Sequence, residues 1–253
     1  MFKGIVRKLT QALLAGGVLV ATAAVQAAEF DARLDWGQRV VLSTPVSGPV
    51  AEVNAQPGDR VEAGQVVLDL DPRPFRQKVK QAKARVDAIQ PDRAEARRDV
   101  ERAEELYDRT VLSDVELQQA KITFSRLDGQ YRQAVTAHEL AKLDLEYSRV
   151  EAPFDGMVLD VHTAPGATVV SRDRAPALVE IGSVASMTAV AALAPAEAAG
   201  VSRGQEATVI VDGREIAGEI AFLRQVDTGY EVGVRFTPET VRMAGAAAKV
   251  RLP

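Results

Sequence analysis

The chain of 253 residues contains no cysteine. This absence excludes disulfides, zinc–thiolate sites, a cysteine nucleophile and a lipid-modified amino-terminal cysteine. Positive charge is not in excess either, since 31 lysines and arginines stand against 35 aspartates and glutamates, a formal net charge of −4. General nucleic-acid binding needs concentrated positive charge for the phosphates, so no nucleic-acid partner is expected.

Sequence signals of catalysis are missing as well. The sequence contains no nucleophile elbow, phosphate-binding loop or dinucleotide fingerprint. Its two histidines, His138 and His162, are isolated and have no carboxylate pattern beside them. Such histidines are more often packing or surface residues than metal ligands. We therefore expect no enzymatic activity, no cofactor and no metal site.

The amino terminus has the layout of a secretory signal peptide. Three cations at positions 3, 7 and 8 precede a mostly apolar stretch, residues 9–25. Val25-Gln26-Ala27 then offers small residues at the positions that a signal peptidase reads, so residues 1–27 are predicted to be removed by cleavage after Ala27 or Ala28, which places the mature chain in the periplasm. The alternative is an uncleaved membrane anchor, although the apolar stretch is near the lower length limit for spanning a bilayer.

Two segments of the chain repeat each other at one offset. VSGPVAEVNAQPGDRVEAG begins at residue 46, and FDGMVLDVHTAPGATVVSR begins at residue 154. In each, a short strand pattern leads into a Pro-Gly turn signal. We expect the halves 43–71 and 150–182 to form one β-sandwich around a pseudo-twofold axis, each covering the apolar face of the other. The shared residues expected at its structural turns are Gly48, Pro57 and Gly58 in the first half and Gly156, Pro165 and Gly166 in the second.

The segment between the two halves, residues 72–149, is predicted to be helical. It contains one of the 18 glycines of the chain, and its apolar residues recur at alternating spacings of three and four. This pattern predicts two helices, 74–108 and 114–148, packed along a heptad seam as an antiparallel hairpin.

Four residues refine the prediction for the hairpin. Ser113 and Glu116 fit a capping box at the start of the second helix. Pro91 lies inside the first helix, where the seam continues past it, so we expect one bent helix and not two. The seam of the first helix is predicted to end at Tyr107.

The rest of the chain is predicted to be β. Five strand patterns separated by Gly, Pro and Asp follow residue 182, with a short helix at 195–199. Arg39–Leu42 is a candidate sixth strand, so residues 30–42 and 183–253 are assigned to a small closed barrel, which has no exposed edges. The expected fold class is a mixed α and β, elongated molecule, in which the hairpin is inserted in a split β-sandwich that is followed by a six-stranded barrel.

These features together resemble the periplasmic adaptor subunits of bacterial tripartite efflux pumps, the membrane-fusion proteins related to the HlyD group. The resemblance is carried by SGPVAEVNAQPGDRVEAGQVVLDLD before the hairpin and EYSRVEAPFDGMVLDVHTAPGATV after it, with APFDG among the most specific signals. It implies that the sandwich is lipoyl-like and that the chain bridges an inner-membrane transporter, of RND or ABC type, and a TolC-like outer-membrane channel. It also implies a ring of adaptor copies, commonly hexameric. The membrane-proximal domain found in many family members is expected to be absent.

The resemblance also points to the hairpin tip. Family adaptors that dock on TolC-like channels often carry Arg-x3-Leu-x6-Ser there, and Arg102, Leu106 and Ser113 fit that spacing. The resemblance therefore implies that these three residues contact the channel. In the helical pattern, Leu106 lies beside the seam, where an apolar residue has no packing role unless a partner covers it. The alternative is that Leu106 joins the seam through a local shift and Ser113 is only a helix cap.

Lipoyl and biotinyl carrier domains are the rival interpretation, because their half-motifs are similar. A carrier needs a lysine at the exposed turn that joins the two halves. Here the hairpin replaces that turn, and the nearest lysine, Lys78, has no Met-Lys-Met or Asp-Lys-Ala context. A stand-alone periplasmic binding module is the other alternative to an adaptor.

Overall fold

The computed structural model describes residues 28–253 apart from 173, 228 and 241, so the predicted signal peptide, residues 1–27, lies outside the described residues. The helices are α1 (Pro72–Asp108), α2 (Asp114–Glu146) and α3 (Pro195–Ala198). The strands are β1 (Glu29–Trp36), β2 (Arg39–Leu42), β3 (Gly48–Val53), β4 (Arg60–Val61), β5 (Val66–Leu70), β6 (Arg149–Glu151), β7 (Gly156–Val161), β8 (Thr168–Val169), β9 (Val179–Ser183), β10 (Met187–Leu193), β11 (Glu206–Val211), β12 (Arg214–Val226), β13 (Gly229–Phe236) and β14 (Ala247–Arg251).

The helices α1 and α2 form the predicted hairpin, and their bounds lie within two residues of those expected. α1 runs through Pro91 without a break, as the continuous seam predicted. Cross-helix ion pairs join Lys78 to Asp144 at 3.8 Å and Lys121 to Glu104 at 3.0 Å. Early residues of α1 therefore pair with late residues of α2, which is the antiparallel arrangement.

Arg93 occupies a seam position that would otherwise carry an apolar residue. Its half-buried guanidinium donates to Asp128 Oδ1 at 2.6 Å. It also lies over two aromatic rings, 4.8 Å from the centroid of Tyr131 and 5.9 Å from that of Phe124. A polar residue at a seam position costs stability, but it specifies the register because only one alignment supplies its partners. Arg93 thus fixes the relative height of α1 and α2.

Side-chain caps define the start of both long helices. Asp71 accepts the Arg73 N–H at 3.0 Å and also pairs with the Arg73 guanidinium. The predicted capping box is confirmed: Ser113 Oγ accepts the Glu116 N–H at 3.3 Å, and the Glu116 carboxylate accepts the Ser113 N–H at 3.0 Å. The hydrogen bonds from Ser113 lower the pKa of Glu116. Each cap supplies an acceptor for an otherwise unpaired amide of the first turn.

The sandwich consists of two four-stranded sheets, with strand orders β2-β9-β7-β4 and β6-β5-β3-β8. Each sheet combines strands of both sequence halves, because β4 pairs with β7 and β8 pairs with β3. The expectation that each half would form one face was therefore wrong. The reason lies in the Pro-Gly turns, where Gly58 (φ +96°) and Gly166 (φ +86°) reverse the chain and deliver the next short strand to the opposite sheet.

The barrel closes as predicted with six strands, in the order β1-β10-β13-β12-β11-β14. The assignment of Arg39–Leu42 to it was wrong, because this strand, β2, pairs with β9 in the sandwich. The sixth strand is β1, which pairs with both β10 and β14. Its alternating pattern directs Ala32 and Leu34 into the barrel core, whereas β2 is half as long.

One two-stranded ribbon connects the sandwich to the barrel. Arg39 opposes Gly182 on the sandwich side, and Trp36 opposes Met187 on the barrel side. Between these two pairs, the segment that runs from β9 into β10 has two more residues than the segment that runs from β1 into β2. The extra residues make a bulge that bends the ribbon. Trp36, the only tryptophan of the chain, packs directly on Gly182, where a Cβ would collide with the indole.

Gly48 and Gly156 do not lie in turns, contrary to expectation, but begin β3 and β7. They nevertheless provide a matched pair of variants. A Cβ at Gly156 would lie 2.6 Å from Ile181 Cγ2 and 2.7 Å from the Gly182 carbonyl oxygen, whereas at Gly48 the nearest atom would be 3.6 Å away. We expect Gly156→Ala to lower the free energy of unfolding by about 1–3 kcal/mol through overpacking, and Gly48→Ala to leave it nearly unchanged. Urea denaturation checks this, and equal losses at both sites would contradict it.

The cap of α1 generates a pH prediction. Hydrogen bonds from Arg73 lower the pKa of Asp71 to about 2. A folded-state pKa below the unfolded value means that this stabilisation is complete above about pH 4 and is lost as the pH falls toward 2. Asp71→Asn keeps an acceptor oxygen but removes the charge. We expect the difference in unfolding free energy between the native chain and this variant to shrink over that range. A difference that stays constant with pH would contradict the proposed ion pair.

Candidate functional site

The tip of the hairpin is the short turn between α1 and α2. Thr110 adopts a left-handed backbone conformation with φ +57°. The Thr110 N–H donates to the Tyr107 carbonyl at 2.8 Å, and the Val111 N–H donates to the Leu106 carbonyl at 3.0 Å. These bonds satisfy carbonyls at the end of α1, after which the Ser113 cap starts α2. The turn is thus well defined and holds the side chains around it in place.

The tip exposes an apolar surface, formed by Tyr107, Val111 and Val115. These side chains are 41%, 70% and 76% exposed. Neighbouring exposed apolar side chains at the end of a long hairpin indicate a contact surface. Sequence analysis did not identify Val111 and Val115. Their signal was available, because both are valines beside a predicted turn and off the seam.

The seam ends differently from the prediction. Tyr107 was expected to close it but is exposed, whereas Leu106 is half-buried. After the buried Ala103, the seam therefore takes a step of three residues to Leu106 in place of a step of four to Tyr107. The structure therefore favours the alternative in which Leu106 joins the seam through a local shift. A half-buried Leu106 packs against the hairpin and still presents part of its surface at the tip.

The three residues singled out by the family pattern lie in different environments. Arg102 is exposed and donates to Asp99 Oδ1 at 2.8 Å and to Glu95 Oε1 at 3.5 Å, all within α1. Leu106 is half-buried, and the Ser113 hydroxyl is engaged in the α2 cap. In the described residues no side-chain hydrogen bond joins any two of the three. Leu106 and Ser113 lie beside the tip in sequence, whereas the Arg102 guanidinium is directed along α1 toward Glu95 and Asp99, away from the tip.

Other potential sites offer less. Within the described ranges, no group of three or more His, Cys, Asp or Glu side chains is arranged to hold a metal ion. His138 and His162 each lie near a single carboxylate, at 3.8 Å from Glu139 and 3.7 Å from Asp160. A broad depression on the outside of the barrel is lined mostly by small and apolar residues with a few charged side chains, Arg235 among them, and is open to solvent. Such an open groove lacks the enclosure that is typical of small-molecule sites.

None of the helices in the described part of the chain is long and apolar enough to cross a membrane.

Comparisons with known proteins agree on one family. Residues 38–181 match the family described as RND MFP, barrel-sandwich hybrid domain. Over 195 residues the chain is 25% identical to the macrolide export protein MacA of Yersinia pestis. The matched region covers 72% of this chain and 53% of that protein. Over 119 residues it is 30% identical to the multidrug resistance protein MdtA of Pantoea ananatis (strain AJ13355). This matched region covers 47% of this chain and 29% of that protein. The chain thus spans about half the length of MacA, or less for MdtA.

A solved structure shares the fold. The crystal structure of MacA from Actinobacillus actinomycetemcomitans superposes with a TM-score of 0.69 over 88% of this chain and 77% of that chain, at 18% sequence identity. The identity is low, so this likeness concerns the arrangement of sandwich, hairpin and barrel alone. The family match extends over more than half of the chain and includes both sandwich halves and the inserted hairpin. The chain therefore belongs to the membrane fusion protein family.

Proposed function

We propose that this protein is the periplasmic adaptor of a bacterial efflux pump, which links an inner-membrane transporter to a TolC-like outer-membrane channel. The observation that carries the proposal is a hairpin, roughly 50 Å long, that stands on a membrane-fusion sandwich and ends in exposed apolar side chains. The relatives MacA and MdtA, named for macrolide export and multidrug resistance, support an export role.

The tip is the surface that docks on the channel. Val111, Val115 and the exposed part of Leu106 fill apolar grooves between the helical ends of the channel. Burial of such side chains contributes on the order of 1.5–3 kcal/mol each when it is complete. Arg102 releases its intrahelical carboxylates and donates to carboxylates or carbonyls of the channel.

Several adaptor copies act together as a closed ring. The family resemblance implies that this ring is a hexamer. A single hairpin is two helices wide and cannot enclose an export path, whereas hairpins side by side form a tube. Closed symmetry is the general preference of protein assemblies. Weak tip contacts also gain from multiplicity, because several tips bind one channel at the same time.

The role of the chain in this pump is structural and not enzymatic. No observation favours the carrier alternative, because Lys78 lies on α1, pairs with Asp144 at 3.8 Å and sits 5.7 Å from the ring centroid of Phe75. Its ammonium is thus part of the hairpin base and not the tip of a free β-turn, where carrier domains hold their modified lysine. Mass spectrometry of the native protein would detect a lipoyl or biotinyl adduct, which would favour a carrier.

The tip proposal is tested by variants that separate docking from folding. We expect Val115→Asp to leave the melting temperature nearly unchanged, because the side chain is 76% exposed, and to abolish export by desolvating a charge in the contact. Leu117→Ala, which removes a buried seam side chain, should lower the unfolding free energy by about 2–5 kcal/mol. Circular dichroism melts and dye accumulation in adaptor-deficient cells measure the two effects.

Arg102→Ala tests the polar part of the same contact. We expect this variant to lose export and to keep nearly the same melting temperature. Full export by cells that carry Val115→Asp would show that the tip does not bind the channel through this surface. A melting temperature lowered as much as by Leu117→Ala would instead place Val115 in the folded core.

The localisation proposal is tested at the amino terminus. We propose that residues 1–27 are cleaved as a signal peptide, so that the mature chain begins at Ala28 or Glu29 in the periplasm. Amino-terminal sequencing of the protein from the periplasmic fraction is expected to begin at one of these residues. Recovery of a chain that begins at Met1 or Phe2, in the membrane fraction, would contradict cleavage and favour an anchor.

A further inference from the structure

The residue at the apex of the hairpin, Thr110, has a backbone conformation that threonine seldom adopts. Its φ is +57°, in the left-handed region. Of the other residues with a positive φ in the described part of the chain, seven are glycines and one is Asp212. Asp212 precedes Gly213 in the tight turn between β11 and β12, where a short polar side chain tolerates this conformation. Thr110 is therefore the one β-branched residue that the described chain holds in this region.

Thr110 occupies the position after α1 that glycine usually takes. Arg109 is the C-cap of the helix, so Thr110 is the first residue beyond it. The Thr110 N–H donates to the Tyr107 carbonyl at 2.8 Å, and the Val111 N–H donates to the Leu106 carbonyl at 3.0 Å. These two bonds define a Schellman motif, in which the left-handed residue is usually a glycine. A Cβ at this position crowds the backbone, and a branched one crowds it more.

The structure around Thr110 offsets little of this unfavourable conformation. The Thr110 hydroxyl donates to the Arg109 carbonyl oxygen at 2.7 Å, at an exposed place where water could serve as the donor. Among the described residues, the Thr110 side chain makes no other hydrogen bond. The side chain is exposed, so packing within the chain does not stabilise it either. Glycine would form the same turn more favourably.

The Thr110 side chain adjoins the exposed apolar surface of the tip. Val111 follows it directly and is 70% exposed, and Tyr107 at the end of α1 is 41% exposed. Because the Thr110 hydroxyl is engaged by the Arg109 carbonyl, the part of the side chain that is left for a partner is mainly its γ-methyl group. A methyl group next to an exposed valine extends an apolar contact surface.

We propose that Thr110 is a specificity-determining contact residue of the tip, and that its γ-methyl group fits an apolar recess on the outer-membrane channel. A strained residue persists where other interactions over-determine it, and burial in the channel is the interaction that the free chain lacks. The turn holds the methyl group next to Val111, so both side chains enter the channel together. A channel shaped for a bare glycine turn has no room for threonine, which gives the adaptor a means of selecting its channel.

This inference rests on the channel docking proposed above, and it adds the residue at the apex and the chemistry of the recess that receives it. A contact role and a structural role have different consequences. If Thr110 only shaped the turn, a substitution would change stability and docking in the same direction. A contact residue in a strained position makes stability and docking change in opposite directions when glycine replaces it.

The full chain and its Thr110→Gly variant are compared in two measurements. Far-UV circular dichroism follows the melting of the hairpin, and we expect the variant to melt about 2–4 °C higher, because glycine adopts the left-handed conformation freely. Binding is measured to the purified TolC-like channel of the producing bacterium, with the adaptor immobilised densely so that several tips engage one channel. We expect the affinity of the variant to be about tenfold lower, as the loss of two buried carbon groups implies.

Two conservative variants identify the part of the side chain that binds. Thr110→Val keeps the γ-methyl group and the branched shape, so we expect native affinity and a melting temperature no higher than that of the native chain. Thr110→Ser keeps the hydroxyl and loses the methyl group, so we expect it to bind as weakly as Thr110→Gly. Asp212→Gly is the control, because it changes the other non-glycine residue with a positive φ, in a barrel turn, and should leave binding unchanged.

Three results would overturn the inference while the docking proposal stands. Native affinity of Thr110→Gly would show that the side chain makes no contact with the channel. A lower melting temperature together with weaker binding would show that threonine serves the turn itself. Native affinity of Thr110→Ser would exclude the methyl group. If the folded native chain does not bind the channel at all, the inference and the proposed docking both fail.

Discussion

The structure depends on one constraint: the two ends of the hairpin must meet at the same edge of the sandwich. α1 leaves from the end of β5 and α2 returns into β6, and these two strands are paired. The Leu70 N–H donates to the Ser148 carbonyl at 2.8 Å across the base, and Thr44 Oγ1 donates to the Tyr147 carbonyl at 2.6 Å. Phe75 of the first turn of α1 is buried in the sandwich core. The hairpin is therefore anchored to the sandwich through both of its helices.

Because both helices are anchored at the base, a hairpin only two helices wide can place its tip far from the sandwich. The fully buried seam residues of the two helices are mostly alanines, which bring the helix axes close together and leave little apolar material in the middle. Arg93 fixes the register of that middle region through Asp128 and two aromatic rings. Among the exposed large apolar side chains of the described hairpin, Val111 and Val115 lie at the tip, Ile122 lies farther along α2, and Leu140, Leu143 and Tyr147 lie toward the base.

Much of this arrangement could be predicted from the sequence, because the signals are local. The helix bounds follow from heptad spacing and from the Ser113–Glu116 box, which acts within one turn. The strands of the barrel after residue 182 follow from alternation and from glycines. Of the candidate site, the position of the tip was predicted and its most exposed side chains were not. Val111 and Val115 lie off the seam beside the predicted turn, and how far each is exposed depends on the geometry of that turn, in which Thr110 is left-handed.

The sequence by itself determined the repeat, the inserted hairpin, the capping box of its second helix and the five barrel strands after residue 182, since each of these is encoded by residues that are neighbours along the chain or recur at a fixed period. Only the tertiary structure decided that β2 joins β9 in the sandwich and that β1 closes the barrel. It also decided that strands of the two halves exchange between sheets, and that Leu106, not Tyr107, completes the seam. Strand partners are chosen by contacts between residues far apart in sequence, and burial at a helix end depends on how the chain turns there, so neither has a local signature.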